Sequence, residues 1–237
     1  MLTITKHRTV FKVADETLVG DIVAFDQRYK PRSLFLHGAG QATRQRALPL
    51  AMKLAELGNP SFLFDFSGHG ESTGSLLGSS LKRRIDEAEA AMAFLSKKGP
   101  HSLLASSMSG HIAMQLLRDH DFANLVLFAP AIYDAAAIDI PFGPRFSKAI
   151  RQRDSWKRSN ATAALREYTG NLLIFWGEND AVVPRGVIDF IFAAAEHTKV
   201  KKVITVPGAD HQLAQWTNRD EDALNMVTRE VVSMLNS

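Results

Sequence analysis

The chain has 237 residues, of which 46% are hydrophobic, and it contains no cysteine. This favours one domain with a full hydrophobic core, and it excludes disulfides, thiolate metal sites and a cysteine nucleophile. The net charge of +3 comes without a dense block of lysine or arginine, so we expect no nucleic-acid partner. The N-terminal residues lack the pattern of a secretion signal, and no apolar run reaches the roughly 18 residues that cross a bilayer. We therefore expect a cytoplasmic protein without membrane insertion.

Short apolar runs recur along the chain and predict a sheet of about eight strands. Two alternating runs predict an antiparallel pair at 3–13 and 18–25. Six largely apolar runs follow, typical of parallel strands buried on both faces, at 33–36, 61–66, 102–106, 125–129, 172–176 and 202–206. Helical patterns lie between them at 44–57, 81–95, 110–118, 187–196 and 221–235. This alternation predicts a mostly parallel central sheet with helices on both faces, in a single α/β domain spanning 1–237.

One interval between two predicted strands is longer than a crossover helix needs. The 40 residues at 131–170 contain prolines, aromatic residues and a basic cluster. Because long insertions in compact domains are usually functional, we expect a short cap over the active site. Within it, Phe142, Phe146 and Trp156 are expected to form an apolar substrate pocket. The basic residues at 145–158 are more consistent with a solvated helix face than with an anion site.

The segment 101–111 is a short apolar strand, an abrupt turn and the start of a helix. A serine on such a turn is pushed out of the sheet with its hydroxyl exposed, and Ser107 occupies this place. Ala105 and Ser109 stand where the G-x-S-x-G pattern has glycines, and a serine that only caps the helix is the alternative interpretation. Both residues are small, so the turn remains possible. We predict that a larger residue at either position lowers activity.

Two later strand ends carry the partners that a nucleophilic serine needs. Asp180 follows the strand that ends near Gly177, and His211 follows the next strand. Ligands of open parallel sheets bind beyond the carboxyl ends of the strands, where these loops meet. A serine nucleophile requires a base held in one tautomer by an acid. We therefore predict a catalytic triad of Ser107, Asp180 and His211.

Two further loops are expected to shape this site. The loop 36–40 follows a strand, and the N–H groups of Ala39 and Met108 are expected to form an oxyanion hole. An ordinary glycine turn is the alternative. The loop 64–72 contains His69 between two glycines and is expected to form part of the wall of the site. Neither an H-E-x-x-H motif nor a carboxylate cluster occurs, so no metal site is expected.

These motifs resemble those of the α/β-hydrolase superfamily over nearly the whole chain. They are His37-Gly38, Asp65-x-x-Gly68-His69-Gly70-x-Ser72, the elbow around Ser107, Gly177-x-x-Asp180 and Asp210-His211. Among its branches the chain is most similar to small bacterial carboxylic-ester hydrolases, including the feruloyl/cinnamoyl esterase-like group. The resemblance implies Ser107 as nucleophile, His211 as general base, Asp180 as the residue that orients it, and Ala39 with Met108 as oxyanion donors.

The expected function is that of a serine hydrolase. It would cleave a small-molecule carboxylic ester or thioester through an acyl-enzyme, without a cofactor. The same residues also serve acyltransferases, amidases or peptidases, and carbon–carbon bond hydrolases, so these remain alternatives. A non-catalytic binding scaffold is disfavoured because a receptor needs neither a base nor a residue that orients it. The sequence leaves the oligomeric state open.

Overall fold

The structure is a computed structural model that describes residues 3–26 and 30–237; the predicted domain 1–237 also includes residues outside these ranges. The strands are β1 Thr5–Val13, β2 Glu16–Ala24, β3 Ser33–Leu36, β4 Ser61–Phe64, β5 Ser102–Ser106, β6 Asn124–Phe128, β7 Asn171–Gly177 and β8 Val200–Val206. The α-helices are α1 Leu48–Glu56, α2 Leu81–Ala91, α3 Ser109–Leu116, α4 Pro144–Ile150, α5 Ala161–Glu167, α6 Arg185–Ala194, α7 Leu213–Thr217 and α8 Glu221–Leu235. Within the described ranges, no helix combines the length and the apolar character needed to cross a membrane.

Within the described residues all eight strands belong to one sheet, in the order β1-β2-β4-β3-β5-β6-β7-β8. β2 pairs antiparallel with both β1 and β4, and every other pairing is parallel. This confirms the predicted mostly parallel sheet. The strand ends shift by at most two residues; β8, for example, begins at Val200 rather than at the predicted 202. β8 is an edge strand, and its first residues are exposed, so they lack the apolar pattern of the central strands.

The sheet separates two hydrophobic cores. Helices α2, α3, α5 and α6 cover one face, and α1, α7 and α8 cover the other. Successive residues of a strand point to opposite faces, so Leu103 and Ala105 of β5 join the first core while Leu104 joins the second. Because both faces are buried, the central strands are apolar throughout.

The segment 131–170 divides between two environments. Helix α5 packs against α3 and α6, and its Ala161 and Leu165 belong to the first core. It therefore serves as the crossover helix between β6 and β7. Helix α4 belongs instead to a third, smaller apolar cluster beside the carboxyl ends of the strands. This leaves residues 131–160 for the predicted cap, and that assignment stays a prediction.

Candidate active site

Ser107 lies on a strained turn between β5 and α3. Its φ is +52°, in the left-handed region that side chains other than glycine rarely adopt. Such a conformation costs about 1–3 kcal/mol and persists only where neighbours hold it. Here the Ser107 N–H donates to the Phe128 carbonyl at 2.9 Å, and the Ser107 carbonyl accepts from the N–H groups of Gly110 and Ala131, each at 2.9 Å. The turn places Ser107 on the wall of a large cavity at the strand ends.

The structure brings the three predicted triad residues together. Ser107 Oγ lies 2.9 Å from His211 Nε2, and His211 Nδ1 lies 2.9 Å from Asp180 Oδ2. The other oxygen of Asp180 accepts hydrogen bonds from the N–H groups of Val182 and Val183, each at 2.8 Å. β7 and β8 are neighbours in the sheet, so the loops that follow them carry Asp180 and His211 to the same edge. The three side chains form one continuous chain of hydrogen bonds.

The surroundings of Asp180 favour its ionised form. Burial raises the pKa of this carboxyl, but the hydrogen bonds from His211 and from the Val183 and Val182 amides outweigh burial and hold the pKa below its usual value. An ionised Asp180 accepts a hydrogen bond from the N–H at His211 Nδ1 and so fixes the tautomer of the ring. His211 Nε2 is then the unprotonated nitrogen, facing the Ser107 hydroxyl.

The two predicted oxyanion donors lie beside Ser107. Ala39 and Met108 line the same cavity, and neither N–H donates a hydrogen bond to another residue of the described part of the chain. Gly38 allows the close approach of the two loops. A Cβ on Gly38 would lie only 3.2 Å from the Cβ of Ser107 and 3.4 Å from the Ser106 carbonyl. Both N–H groups thus lack a protein partner within the described residues, as the predicted oxyanion hole requires.

The imidazole of His37 holds the loop that carries Ala39. Its Nδ1–H donates to the Gly38 carbonyl at 2.7 Å, and its Nε2 accepts from the Phe66 N–H at 3.1 Å. Burial, with a smaller contribution from His69, lowers the pKa of His37 well below its usual value, so the ring is neutral. The Ser109 hydroxyl donates to the His37 carbonyl. Ser109 replaces the glycine of the usual elbow and ties the elbow helix to this loop.

This contact leads to a prediction for Ser109, which is 1% exposed. We expect Ser109→Ala to lower kcat/KM up to about tenfold, because it removes one buried hydrogen bond worth about 1 kcal/mol. Ser109→Val should lower kcat/KM further, by about ten- to a hundredfold, since overpacking costs about 1–3 kcal/mol. Steady-state kinetics and thermal unfolding of both variants test this. Equal kcat/KM for Ser109→Val and wild type would contradict a tightly packed elbow.

A buried arginine that sequence analysis did not identify anchors the far end of the same loop. Arg44 is 4% exposed; its Nε donates to Asp21 Oδ2 and its backbone N–H donates to Asp65 Oδ1, both at 2.7 Å. Its guanidinium also binds Asp65 and Glu71. Burial lowers the pKa of Arg44, but the hydrogen bonds to Glu71 and Asp21 outweigh burial and raise it. These carboxylates join the loop to β2 and to the segment after β4.

A second buried cation lies behind the loop. Arg84 of α2 is 2% exposed and donates to His69 Nδ1 at 3.1 Å, while its guanidinium lies 4.8 Å from the Phe66 ring. His69 is buried, and its ring lies 4.8 Å from that of His37. Neither His69 nor any other residue of the loop 64–72 lines the large cavity, so the prediction that this loop forms part of its wall is wrong; the loop packs behind His37 instead. Sequence analysis did not identify Arg84, because arginine is usually an exposed residue.

The cavity in front of Ser107 has a volume of about 760 Å³. From the segment 131–170 it is lined by Tyr133 and Ile150, and not by the predicted residues Phe142, Phe146 and Trp156. The predicted composition of the pocket therefore needs correction.

The three aromatic residues instead find apolar partners away from the cavity. Phe142 and Phe146 pack on each other, with ring centroids 4.9 Å apart, and join Leu81 and Met108 in the third cluster. Trp156 packs edge-on against Phe190 of α6 at 5.3 Å. Burial of an aromatic ring is more favourable than exposure on a cavity wall, and these neighbours bury Phe142 and Phe146 and partly bury Trp156. Phe142 and Phe146 therefore pack in the same cluster as Met108, the predicted oxyanion donor.

His111 on α3 is completely buried, rather than facing solvent. Its Nδ1 accepts a hydrogen bond from the Tyr133 N–H at 3.2 Å. Burial lowers the pKa of this imidazole from 6.5 to about 4. His111 is therefore neutral in the folded protein at neutral pH and positions Tyr133, a residue of the cavity wall.

The lowered pKa of His111 predicts a loss of stability in acid. Between pH 6.5 and 4 the unfolded chain takes up a proton that the folded protein does not, so the free energy of unfolding falls as the pH drops. From pH 7 to pH 5 this residue alone accounts for a loss of about 2 kcal/mol. His111→Asn keeps an acceptor for the Tyr133 N–H. We expect this variant to lose about 2 kcal/mol less of its free energy of unfolding between pH 7 and pH 5 than wild type, as measured by denaturant titrations. The exposed His197→Asn is the control, and an unchanged pH dependence in His111→Asn would contradict the prediction.

The sequence profile of the family described as serine aminopeptidase, S33, matches residues 28–163, more than half of the chain. The chain belongs to this family. It is thus a member of the α/β-hydrolase superfamily, as predicted from the sequence motifs. No curated protein matches the chain significantly in sequence.

Solved structures match the chain over nearly its whole length. Est1E from Butyrivibrio proteoclasticus, solved with ferulic acid bound, is 17% identical, with a TM-score of 0.71 over 97% of this chain and 100% of that one. The 2-hydroxy-6-oxo-6-phenylhexa-2,4-dienoate hydrolase of Rhodococcus sp. strain RHA1 is 14% identical, with a TM-score of 0.72 over 99% and 100%. The α/β-hydrolase domain-containing protein 10 of mouse is 16% identical, with a TM-score of 0.69 over 97% and 98%. At these identities the likeness confirms the predicted α/β-hydrolase fold, and the family identifies the chain as a hydrolase.

Proposed function

We propose that this hydrolase cleaves a carboxylic ester, or a thioester, through an acyl-enzyme on Ser107. The observation that carries the proposal is the continuous hydrogen-bonded chain from Ser107 through His211 to Asp180, on the wall of the 760 Å³ cavity. The free N–H groups of Ala39 and Met108 beside Ser107 support it. A structural serine would need neither a base nor an unpaired pair of donors.

In the proposed mechanism Ser107 Oγ attacks the carbonyl carbon while its proton passes to His211 Nε2. Asp180 stabilises the imidazolium that forms, and the N–H groups of Ala39 and Met108 bind the negative oxygen of the tetrahedral intermediate. The alcohol or thiol leaves with the proton from His211. Water then attacks the acyl-enzyme with His211 as base, which releases the acid and restores Ser107.

The family's description names an aminopeptidase, so the second candidate is cleavage of an amino-terminal peptide bond. Such a substrate carries an ammonium group, which a carboxylate in the cavity would recognise. Among the described residues the only acidic side chain on the cavity wall is that of Asp210, and it already accepts a hydrogen bond from the Gln212 N–H at 2.9 Å. The polarity of the cavity therefore favours an uncharged ester over a peptide amino terminus.

Parallel assays of p-nitrophenyl butyrate, a butyryl thioester and alanine p-nitroanilide test this proposal. Each rate is corrected with the Ser107→Ala variant as background. We expect hydrolysis of the ester, or of both ester and thioester, and no measurable release from the anilide. Faster cleavage of the anilide would assign the site to peptides, and no hydrolysis of any of the three would contradict the proposed function.

A further inference from the structure

The active-site cavity continues away from Ser107 into the second core, on the face of the sheet that α1, α7 and α8 cover. Near Ser107 its wall includes exposed residues such as Ala181 and Val182. Inside this opening it is lined by buried apolar side chains: Phe35, Leu50, Leu104, Phe128 and Leu213. The cavity thus has an open end and an enclosed apolar part. We call the enclosed part, which these five residues line, the inner channel.

The register of the sheet gives the depth of the inner channel. Leu104 and Ser106 are two residues apart on β5, so they point to the same face, and both line the cavity. Phe35 pairs with Leu104, and Phe128 pairs with Ser106. The floor therefore has two levels, one at Ser106 and Phe128 near the nucleophile and a deeper one at Phe35 and Leu104. Ser107 follows Leu104 by three residues, the last of them on the turn after β5, so the depth between them is at most about 10 Å.

Side chains from both flanking helices close the channel above this floor. Ala47 and Leu50 line it from the start of α1, and Ala214 and Thr217 line it from α7. The Thr217 hydroxyl donates to the Leu213 carbonyl at 2.7 Å, so its proton is already used within the helix.

Arg46 links the two sides. Its carbonyl accepts from Asn218 Nδ2 at 3.0 Å, and its Nη1 lies 3.4 Å from Gln212 Oε1. These contacts hold α7 and the loop before α1 together over the channel. The five side chains that define the inner channel are all apolar.

We propose that the inner channel binds the acyl group of the substrate and accepts an aliphatic chain of up to about eight carbons. The proposal rests on the proposed function. In an acyl-enzyme mechanism the acyl group stays attached to Ser107 after the alcohol has left, so the enclosed end fits the acyl group and the open end fits the leaving group. An extended chain advances about 1.3 Å per carbon, given carbon–carbon bonds of about 1.5 Å, so about eight carbons span the maximum depth of about 10 Å.

The test compares p-nitrophenyl esters with acyl chains of 2 to about 14 carbons, because the channel is at most about eight carbons deep. In wild type we expect kcat/KM to rise by up to about fourfold per methylene until the channel is full, then to level off or fall. In Ala47→Leu the larger side chain occupies part of the channel from the α1 side. Ala214→Leu does the same from the α7 side and serves as the test if Ala47→Leu does not fold. Either variant should lower the ratio of kcat/KM for the octanoate to kcat/KM for the acetate by at least about tenfold. This is the effect expected when about two methylenes of the acyl chain are no longer buried. The matched control is Ala90→Leu on α2, outside the cavity, which should keep the wild-type ratio.

Other outcomes would overturn the proposal. An active wild type whose kcat/KM does not rise with acyl length contradicts the inner channel as an acyl site and leaves the proposed function intact. A rise with the length of the alcohol in alkyl acetates, instead of the acyl length, would place the leaving group there. A folded Ala47→Leu or Ala214→Leu protein with the wild-type ratio would also contradict it. If wild type hydrolyses no ester at all, the proposed function fails first, and the channel proposal fails with it.

Discussion

Replacing Ser107 with alanine is expected to lower kcat/KM for ester hydrolysis by about 10⁴-fold or more. The change removes the oxygen that lies 2.9 Å from His211 Nε2, and no other hydroxyl among the described residues contacts that nitrogen. Some acceleration over water should remain, since the oxyanion donors and the cavity still bind the transition state. Steady-state kinetics of purified, folded protein give the measurement.

The adjacent Ser106 provides the control for this substitution. It also lines the cavity but does not contact His211 in the described structure. We expect Ser106→Ala to lower kcat/KM by less than about tenfold, the effect of one hydrogen bond. Full activity of Ser107→Ala, or an equal loss in the two variants, would contradict the assignment of the nucleophile.

Asp180→Asn is expected to lower kcat by about 10⁴-fold with little change in folding. The amide keeps the size of the side chain and an oxygen for the N–H groups of Val182 and Val183. It loses the negative charge that stabilises the protonated His211 and that fixes its tautomer. The lowered pKa of Asp180 indicates that wild type has this charge throughout the neutral range. Kinetics together with thermal unfolding separate the catalytic effect from a structural one.

Asp210→Asn is the matched control, because Asp210 precedes His211 but binds the Gln212 N–H instead of the imidazole. Its effect on kcat should stay below about tenfold. Glu178 does not replace Asp180, because its carboxylate accepts from the Gly208 N–H at 2.9 Å. An Asp180→Asn enzyme with more than a tenth of the wild-type kcat would exclude Asp180 as the partner of His211.

The sequence predicted those parts of the structure that depend on local pattern and on the order of the strands. Buried parallel strands are apolar throughout, so β3 to β7 were recognisable as short runs. Because the carboxyl ends of these strands share one edge, residues far apart in sequence could be placed together. Ser107, Asp180 and His211 were predicted in this way, and the structure places them within hydrogen-bonding distance.

The features that sequence analysis missed depend on tertiary packing. Arg44 and Arg84 are charged, so their types indicate exposure, yet carboxylates and aromatic rings from other elements surround them. The motif Asp65-x-x-Gly68-His69-Gly70-x-Ser72 contains one partner of Arg44, Asp65, and was the available clue. The pocket prediction failed for a related reason. Aromatic composition indicates burial, but it does not say whether Phe142 faces the cavity or the core.

The departures from the glycine pattern at the elbow also have an explanation only in three dimensions. Ala105 is buried in the first core, and Ser109 uses its hydroxyl to hold the loop that carries Ala39. Close approach of the helix to the next loop is instead provided by Gly110, where a Cβ would lie 2.6 Å from the Cβ of Pro130. Gly110 is thus a further position, beside Ser109, at which the elbow has room only for a small residue.

The central claim is that Ser107 is an activated nucleophile, and covalent trapping tests it most directly. The protein is incubated with a fluorophosphonate, its intact mass is measured, and tryptic peptides are fragmented to locate the adduct. We predict one phosphonyl group per chain, on Ser107 within the peptide 99–118, and no adduct in Ser107→Ala. An unmodified wild type, or an adduct on Ser102, Ser106 or Ser109 of the same peptide, would contradict the claim.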